Sequence, residues 1–412
     1  MSRHIIVGLF LLITGSIFAQ EGTTSPYSYY GIGSLKFPGT SENRAMGGIG
    51  VFADSIHLNL QNPASFSHLR LVNYSIGASH SEIKQKTNSE SQNTSTTTLD
   101  YLVLGIPMGK FGMGMGMIPY SAVGYHFYSN LPNGITEYTG KGGLNKAFLS
   151  LAYQVTPELS LGVDSHYNFG KIENTAITQI ADLQYGSRAF NSSELYGFSF
   201  NFGAMYKRMI NNGLEVYGSL TYSPGTNFTS ENTRKLATVS IIPSGVYTVD
   251  EREVDVPNTR FTFPSQISLG AGIGKPKHWA IGAEYTNQQT SNFTNRSFTI
   301  DNETYKDASK FRVGGYFIPN YNSFGNYFKR VVYRAGIRYE QTGLNVSGQD
   351  IDEFGISFGF GLPVGRLFSN ANLGFEIGKR GTTDFGLIQE NFFNTFLSFS
   401  LNDRWFDKRL YD

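Results

Sequence analysis

The sequence predicts an all-β fold, a transmembrane antiparallel barrel of fourteen strands with an N-terminal hatch segment in its lumen. Three observations lead to this prediction. The 412-residue chain starts with an export signal. Apolar and polar residues then alternate with period two in fourteen segments. The connections between these segments are alternately long and short, which is typical of an outer-membrane barrel.

The composition excludes several classes of protein. The chain has 33 basic and 32 acidic residues, no cysteine, 16% charged residues and 15% aromatic residues. Soluble domains carry about 25% charged residues. The balanced charge offers no basic stripe for a nucleic acid. Without cysteine there is no disulfide framework, no thiolate metal site and no thiol nucleophile.

Residues 1–19 read as a secretory signal peptide. Arg3 precedes an apolar run over residues 5–12, and Ala19 supplies a small residue at the predicted cleavage site. A membrane-anchoring helix is the alternative, but the run is shorter than the ~20 residues that a bilayer requires. The lack of cysteine also excludes a lipoprotein.

The predicted barrel spans residues 69–401. In one clear segment, Phe354, Ile356 and Phe358 alternate with glycine and serine. In a membrane barrel the apolar row faces lipid and the polar row faces the lumen, whereas a secreted soluble sandwich, the alternative fold, buries its apolar rows. The predicted strands are 70–81, 97–108, 111–123, 145–155, 159–170, 194–208, 213–224, 262–274, 278–289, 309–318, 330–341, 353–363, 370–379 and 391–401.

Four tyrosines give an independent indication of a membrane. Tyr167, Tyr222, Tyr285 and Tyr339 fall on apolar rows, each just before a predicted long loop. A phenol places its ring in lipid and its hydroxyl in water. We therefore expect these residues to form an aromatic girdle at the outer interface, although chance placement in a tyrosine-rich chain is the alternative.

Residues 20–68 do not alternate and are rich in glycine and proline, which predicts a compact, mostly irregular segment. A lumen enclosed by fourteen strands is wider than side chains alone can fill. The sequence therefore predicts that this segment is a hatch inside the barrel. Residues 402–412 form a predicted periplasmic tail.

The hatch carries a family resemblance. The pattern Arg-Ala-x-Gly-Gly-x-Gly-Val over residues 44–51, followed by Asp54 and then by Asn62, Pro63 and Ala64, resembles the FadL family of long-chain fatty acid and hydrophobic-compound transporters. The resemblance implies a fourteen-stranded barrel in which Asn62, Pro63 and Ala64 form a hatch motif used in transport. The alternative is that the tripeptide only turns the chain into the first strand.

The resemblance also implies a route. Substrate would rest in a groove between the outer loops 171–193 and 225–261, enter the lumen, and leave sideways at a kinked third strand. Gly112, Gly114, Gly116 and Pro119 lie on that strand and are the candidates for a lateral opening. Glycine weakens a strand and proline removes a ladder donor, but a bulge without a role in transport is the alternative.

The C-terminal tail resembles those of related barrels of the Bacteroidota. Some of these, the PorV-like barrels, assist protein secretion or surface attachment. An accessory or shuttle protein of such a complex, with a secretion-system protein as partner, is therefore the alternative to transport.

The period-two alternation assigns alternate strand residues to the lumen side, and some of these are candidate substrate contacts. Aromatic residues facing water are costly unless they line a dry cavity or touch the hatch, and contact with the hatch is the alternative role. Arg334 and Arg338 are candidates to hold a carboxylate, or else to pair with Glu340, Glu376 or Asp54. The aromatic and apolar candidates are Tyr101, Val103, Phe148, Phe198, Phe200, Tyr217 and Phe396.

Catalytic motifs are weak. Gly355, Ser357 and Gly359 match the spacing of a nucleophile elbow, but they lie within a predicted strand instead of a strand-to-helix turn. An outer-membrane hydrolase is a minor alternative. We expect no enzyme activity, no cofactor and no metal.

The sequence predicts a barrel in the outer membrane of a Gram-negative cell that passively admits hydrophobic molecules such as long-chain fatty acids, with outer-membrane lipid and a hydrophobic ligand as its partners.

Overall fold

The computed structural model describes residues 22–210, 213–293, 302–364 and 369–404. The predicted signal peptide and most of the C-terminal tail lie outside the described residues. None of the described helices has the length and apolar character needed to cross a membrane.

Most of the chain forms β-strands. The residues before the barrel contain a 3₁₀ helix (Pro26–Tyr29), β1 (Ser34–Leu35), α1 (Ser41–Arg44) and a second 3₁₀ helix (Pro63–His68). The later strands are β2 (Val72–Lys86), β3 (Ser91–Met108), β4 (Phe111–Leu131), β5 (Gly134–Gln154), β6 (Leu159–Ile180), β7 (Gly186–Met209), β8 (Glu215–Ser223), β9 (Thr226–Ile242), β10 (Gly245–Val254), β11 (Thr259–Phe263), β12 (Gln266–Lys275), β13 (Trp279–Gln288), β14 (Glu303–Tyr305), β15 (Ala308–Phe317), β16 (Val332–Val346), β17 (Gln349–Pro363), β18 (Asn370–Arg380) and β19 (Gln389–Asp403). Short 3₁₀ helices cover Thr290–Asn292, Tyr327–Lys329 and Asp384–Gly386.

The strands close into one antiparallel barrel. Strand β19 pairs with β2 along their whole length, from Gln389 opposite Lys86 to Asp403 opposite Val72. Three barrel strands are interrupted along their length. Strands β8 and β9 together form one barrel strand, β10, β11 and β12 form a second, and β14 and β15 form a third. The ring then has fourteen strands, which confirms the predicted fold class and the strand count.

The outer hairpins differ from the prediction. Residues 124–144 and 171–193 were expected to be loops, but β4 continues to Leu131 and β5 restarts at Gly134. Strand β6 likewise continues to Ile180. The exposed positions of these extensions include His126, Lys141 and Lys171, so the outward apolar row fades although the backbone pairing persists. The signal for a membrane strand therefore ends before the strand does.

The outer surface of the barrel is apolar. Leu161, Ile281 and Phe358 are each about half exposed, as are many other large apolar residues at the same strand parity. The four predicted girdle tyrosines also point outward, with exposed fractions from 38% for Tyr339 to 47% for Tyr222. Such a surface is stable only against lipid, and this confirms the predicted facing of the apolar rows.

Residues 22–69, called here the N-terminal segment, contact the inward faces of strands around the ring. The side chain of Asn62 donates to the Ser219 hydroxyl on β8, Ser28 bonds to the backbone of Gly124 on β4, and the Gly47 amide donates to Ser357 on β17. These contacts fix the N-terminal segment to strands far apart in the ring.

Glycines on the lumen wall allow the N-terminal segment to lie close to it. A Cβ at Gly112 would overlap the carbonyl of Phe66, and one at Gly203 would overlap the side-chain oxygen of Asn62. Glycine is the residue that permits such a close backbone approach. These positions are therefore shaped by packing against the second 3₁₀ helix.

We expect Gly112→Ala to loosen the N-terminal segment, because the added methyl group would overlap the Phe66 carbonyl. Hydrogen exchange of residues 63–68 in the detergent-solubilised protein should become faster. The control is Gly218→Ala, where the nearest atom to the new Cβ lies 3.6 Å away on Tyr206. Equal protection of residues 63–68 in both variants would contradict this account of the glycines.

Candidate functional site

A turn in the N-terminal segment positions its charged side chain. Thr40 caps α1 by accepting a hydrogen bond from the Asn43 amide at 3.4 Å. Gly47 and Gly48 follow at φ values of +68° and +85°, a conformation that favours glycine. The chain therefore reverses direction directly after Arg44, and the guanidinium extends to the barrel wall.

Arg44 joins a network of charges across the lumen. Its guanidinium donates to Glu376 on β18 at 2.9 and 3.0 Å and lies 3.9 Å from Asp100 on β3. Glu376 also accepts from Arg338 on β16 at 2.6 Å and from Asn394 at 3.0 Å. The network thereby ties the N-terminal segment to the wall through charge-assisted hydrogen bonds.

The charge network continues toward the outer ends of strands β16 to β19. Arg338 also binds Glu353, and Arg380 donates to the other oxygen of Glu353 at 2.5 Å. Glu390, which is 2% exposed, lies 3.7 Å from Arg380. Buried charges of this kind are stable only when they are paired.

The sequence left two roles open for Arg334 and Arg338, holding a substrate carboxylate or pairing with lumen carboxylates. In the structure Arg338 forms ion pairs. It contacts Glu340 at 3.8 Å in addition to Glu353 and Glu376. Arg334 donates to Asn372 at 3.1 Å. Asp54, the third carboxylate considered, lies 2.7 Å from His57.

A cavity of about 290 Å³ lies beside this network. Its lining includes the aromatic residues Tyr120 from β4, Phe263 from β11 and Phe293, and the charged residues Arg338, Glu340 and Glu353. The N-terminal segment contributes residues from Tyr30 to Thr40. A cavity lined by both apolar and charged side chains suits an amphipathic molecule.

A second cavity of about 140 Å³ lies next to the first. Leu35, Lys36, Tyr120 and Phe263 line both cavities. Tyr120 reaches this position because a register shift between Pro119 and Ser121 interrupts the pairing of β4 with β5. The boundary between the cavities is thus made by the N-terminal segment and a bulged tyrosine.

Among the described residues, the barrel wall has a stretch where the neighbouring strands β3 and β4 do not pair. Strands β3 and β4 pair only from Met108 opposite Phe111 to Leu102 opposite Met117. Above Met117, β4 continues to pair with β5 but no longer with β3. The opening between β3 and β4 therefore begins directly above Leu102 and Met117.

The N-terminal segment occupies this opening. Its strand β1 pairs with β4, Ser34 opposite Ala122 and Leu35 opposite Ser121, and the Lys36 amide donates to the Tyr120 carbonyl at 2.9 Å. On the other side, the Thr24 hydroxyl lies 2.7 Å from that of Thr94 on β3. Backbone N–H and C=O groups on this edge of β4 are thus hydrogen-bonded by the N-terminal segment instead of by a barrel strand.

Three of the four lateral-opening candidates lie below the opening. Gly112, Gly114 and Gly116 belong to the regularly paired part of β3 and β4, opposite Pro107, Gly105 and Val103. The glycines therefore do not disrupt pairing, and their small size accommodates neighbouring side chains and the N-terminal segment. Pro119 stands at the opening, and its missing amide suits an edge.

Most aromatic candidates face the lumen and pack against other residues there. Tyr101 accepts from the Ser41 amide at 3.2 Å and lines the larger cavity, and Phe148 joins a cluster with Phe66. Tyr217 meets the Phe52 ring edge-on at 5.0 Å, and the Arg44 guanidinium lies 5.0 Å above the Phe396 ring. Val103 is buried as well.

Phe198 and Phe200 correct the prediction, because they point outward with exposed fractions of 60% and 41%. Strand β7 pairs with β6 without a register shift from Ser187 to Tyr206. The two phenylalanines therefore share the face of Phe202 and belong to the lipid-facing row. The polar neighbours Ser199 and Asn201 supply the inward row.

The Asn62, Pro63 and Ala64 motif anchors the second 3₁₀ helix. Asn62 accepts from the Ala64 amide at 3.0 Å and donates to Ser219 at 2.9 Å and to the Ala204 carbonyl at 3.1 Å. It therefore caps a helix and binds the wall at once, whereas β2 begins only at Val72.

Burial shifts the pKa values of two side chains in the N-terminal segment, Lys36 and His68. Burial lowers the pKa of the Lys36 ammonium to about 8, and its Nζ donates to the Gly22 carbonyl at 2.5 Å. Burial, aided by Lys207 and Arg70, lowers the pKa of His68 to about 4. His68 is thus neutral at pH 7, and its Nε2 lies 2.6 Å from the Ser160 hydroxyl on β6.

The prediction missed Lys36, Tyr120, Phe263 and Glu353 as lining residues of the larger cavity. Charged residues at inward parity on β15 to β19 were a usable signal, because a charge within a membrane strand belongs in the lumen. Lys36 lies in irregular backbone, where no periodicity marks its position.

Removing the Arg44 side chain should loosen the N-terminal segment. Hydrogen bonds to charged groups contribute roughly 1.5–3 kcal/mol, so Arg44→Ala should lower the local opening free energy of residues 41–50 by about that amount. Hydrogen exchange measures this value. The control is Lys306→Ala, which breaks an exposed pair with Asp350 and should leave these residues unchanged. An equal loss in both variants would contradict the role of Arg44.

Acid should weaken the attachment of the second 3₁₀ helix. The pKa of His68 is about 4 in the folded protein against an ordinary value of 6.5, so the unfolded state binds the proton more readily. Stability is therefore retained above pH 6.5 and lost as the pH falls towards 4. Hydrogen exchange of residues 63–68, corrected for intrinsic rates, should show this loss in the wild type but not in His68→Asn. A control variant at exposed His80 should keep the slope.

Solved structures share this fold at low sequence identity. The chain is similar to the CymD monoaromatic hydrocarbon channel, with 12% identity, a TM-score of 0.59, and coverage of 90% of this chain and 100% of the other. It is also similar to the toluene transporter TodX of Pseudomonas putida, with 14% identity, a TM-score of 0.59, and coverage of 91% and 100%.

A FadL homologue of Pseudomonas aeruginosa gives 11% identity, a TM-score of 0.57, and coverage of 90% and 99%. No curated protein matches the sequence significantly. The model of the BamG family matches residues 1–412, the whole of the sequence. This chain therefore belongs to the BamG family.

Proposed function

We propose that this barrel lies in the outer membrane of a Gram-negative cell and passively admits hydrophobic molecules, with long-chain fatty acids as the substrate class. The observation that carries the proposal is the unpaired stretch between β3 and β4, which only the N-terminal segment fills among the described residues. Displacing β1 would connect the lumen sideways to the outer leaflet without breaking a barrel ladder.

The cavities lie directly behind this opening. Leu35 and Lys36 belong to the part of the N-terminal segment that pairs with β4, and both line the two cavities. An acyl chain would lie against Tyr120 and Phe263 while its carboxylate faces charged side chains of the lining. The same displacement would thus open the wall and join the cavities.

The proposed substrate contacts are the lumen-facing residues Tyr101, Phe148, Tyr217, Phe396, Arg334 and Arg338. Arg338 already binds two glutamates at close range, so it offers less to a carboxylate than Arg334, which donates to the neutral Asn372. Unchanged fatty acid uptake in the Arg334→Ala, Arg338→Ala double variant would remove the carboxylate role.

Locking β1 onto β4 tests the opening. The chain has no cysteine, so a Ser34→Cys, Ala122→Cys variant has only one possible intramolecular disulfide between residues that face each other. Oxidation should abolish fatty acid uptake by cells that depend on this barrel, and reduction should restore it. Glu82→Cys with Ser95→Cys joins β2 to β3, which are already paired, and is the control. Full uptake through the oxidised lock would reject lateral passage.

An accessory role in a secretion or surface-attachment complex is the second candidate. The observation that favours it is the length of the outer hairpins, which rise far above the girdle. Mild detergent extraction followed by mass spectrometry separates the two candidates. Bound acyl chains favour transport, and a stoichiometric protein partner favours the accessory role.

A further inference from the structure

Three neighbouring turns at the rim opposite the outer hairpins carry a cluster of cations. They join β7 to β8, β12 to β13 and β15 to β16, and they adjoin one another because β8 pairs with β12 and β13 pairs with β15. The rim with the short turns of an outer-membrane barrel faces the periplasm. The described residues of these three turns, called here the basic turns, are 207–210, 213–215, 275–278 and 318–331.

Cations outnumber carboxylates at the basic turns. Lys207 pairs with Glu215 at 3.4 Å. The other carboxylates close by are Glu158 on the next turn and Asp54, which lies 2.7 Å from His57. Six cations therefore stand among three carboxylates. The five cations that form no ion pair within the described part of the chain are Arg208, Lys275, Lys277, Lys329 and Arg330.

Two of these cations lie on the lipid-facing rows of the barrel. Arg208 follows Tyr206 on the outward row of β7, and Lys275 follows Ile273 on the outward row of β12. The pairing of these strands with their neighbours shows no register shift there. Both exposed side chains therefore leave the wall on the lipid side, where a long cationic side chain reaches the headgroups of the adjoining leaflet.

Aromatic side chains accompany the cations. On the outward row, Trp279 stands opposite Lys275, and Phe317 stands opposite Trp279. The side chain of Phe328 is 71% exposed, and its carbonyl accepts from the hydroxyl of the outward-facing Tyr333 at 3.2 Å. Aromatic and cationic residues that meet where an apolar row ends are typical of a membrane–water interface.

We propose that the basic turns bind the headgroups of anionic phospholipids in the inner leaflet of the outer membrane. Each phosphate would accept charge-assisted hydrogen bonds from the guanidinium and ammonium groups, and the acyl chains would pack on the rows that end at Tyr206 and Trp279. An acidic soluble protein is disfavoured as the partner because Arg208 and Lys275 extend from the lipid-facing rows. The proposal rests on the proposed membrane position but not on transport through the lumen.

Trp279 is a probe placed at the proposed site. The chain has two tryptophans, so the Trp405→Phe variant leaves only Trp279, opposite Lys275. Bromine atoms on acyl chains quench tryptophan fluorescence on contact. In phosphatidylcholine nanodiscs, dibrominated phosphatidylglycerol should quench Trp279 with about tenfold higher affinity than dibrominated phosphatidylethanolamine, because each cation near the surface attracts anionic lipid. Added salt should reduce this preference.

A double variant and a matched control locate the effect, both made in the Trp405→Phe background. Arg208→Gln with Lys275→Gln should reduce the preference to about twofold or less. The control, Lys84→Gln with Lys379→Gln, also removes two cations that form no ion pair among the described residues. They lie on the outward rows at the outer ends of β2 and β18, on either side of Asn391. The control should keep the full preference.

Two results would overturn the proposal while leaving the membrane position intact. One is equal quenching by the two brominated lipids, and the other is an unchanged preference in the double variant. Quenching by neither lipid would overturn the proposal together with the membrane position on which it rests.

Discussion

Backbone hydrogen bonding in lipid is the constraint on which this structure depends. A strand that crosses a bilayer must satisfy its amides and carbonyls within the sheet, so the ladder has to close on itself. Here it closes through β19 and β2 and is interrupted between β3 and β4 above Met117. At the interruption, backbone groups on the edge of β4 are bonded by the N-terminal segment instead of by β3.

The N-terminal segment completes the interrupted wall while remaining a separate piece of chain. Its strand β1 supplies two residue pairs to β4, against seven pairs between the lower parts of β3 and β4. Fewer ladder bonds and a short element make this contact weaker than any barrel ladder. The ion pairs of Arg44 and the cap of Asn62 hold the segment further down. The segment is thus fixed at its base and most weakly paired at the opening.

Charges in the lumen have a structural role before any role in binding. Glu353 lies between two arginines, and Glu376 joins Arg44 to Arg338. In a narrow space with little water, such groups remain charged only because each is paired. Aromatic side chains such as Tyr120 and Phe263 line the same cavity and need no such partner.

The sequence by itself determined the barrel. Its strand count, the lower strand bounds and the outward tyrosines all follow from period-two alternation, which is local and repeats in every strand. Alternation did not predict the outer extensions of β4, β5 and β6, because the outward apolar row that marks a membrane strand ends before the strand does. It also could not locate Lys36 or assign Gly112, whose small size matters only because Phe66 lies against it.

Tertiary structure decided which carboxylate meets which arginine, where the ladder is interrupted, and what fills the interruption. These features depend on contacts between residues far apart in the chain, such as Arg44 with Glu376 and Ser34 with Ala122. A local pattern fixes the face on which a side chain lies. Only the closed ring fixes what lies opposite it.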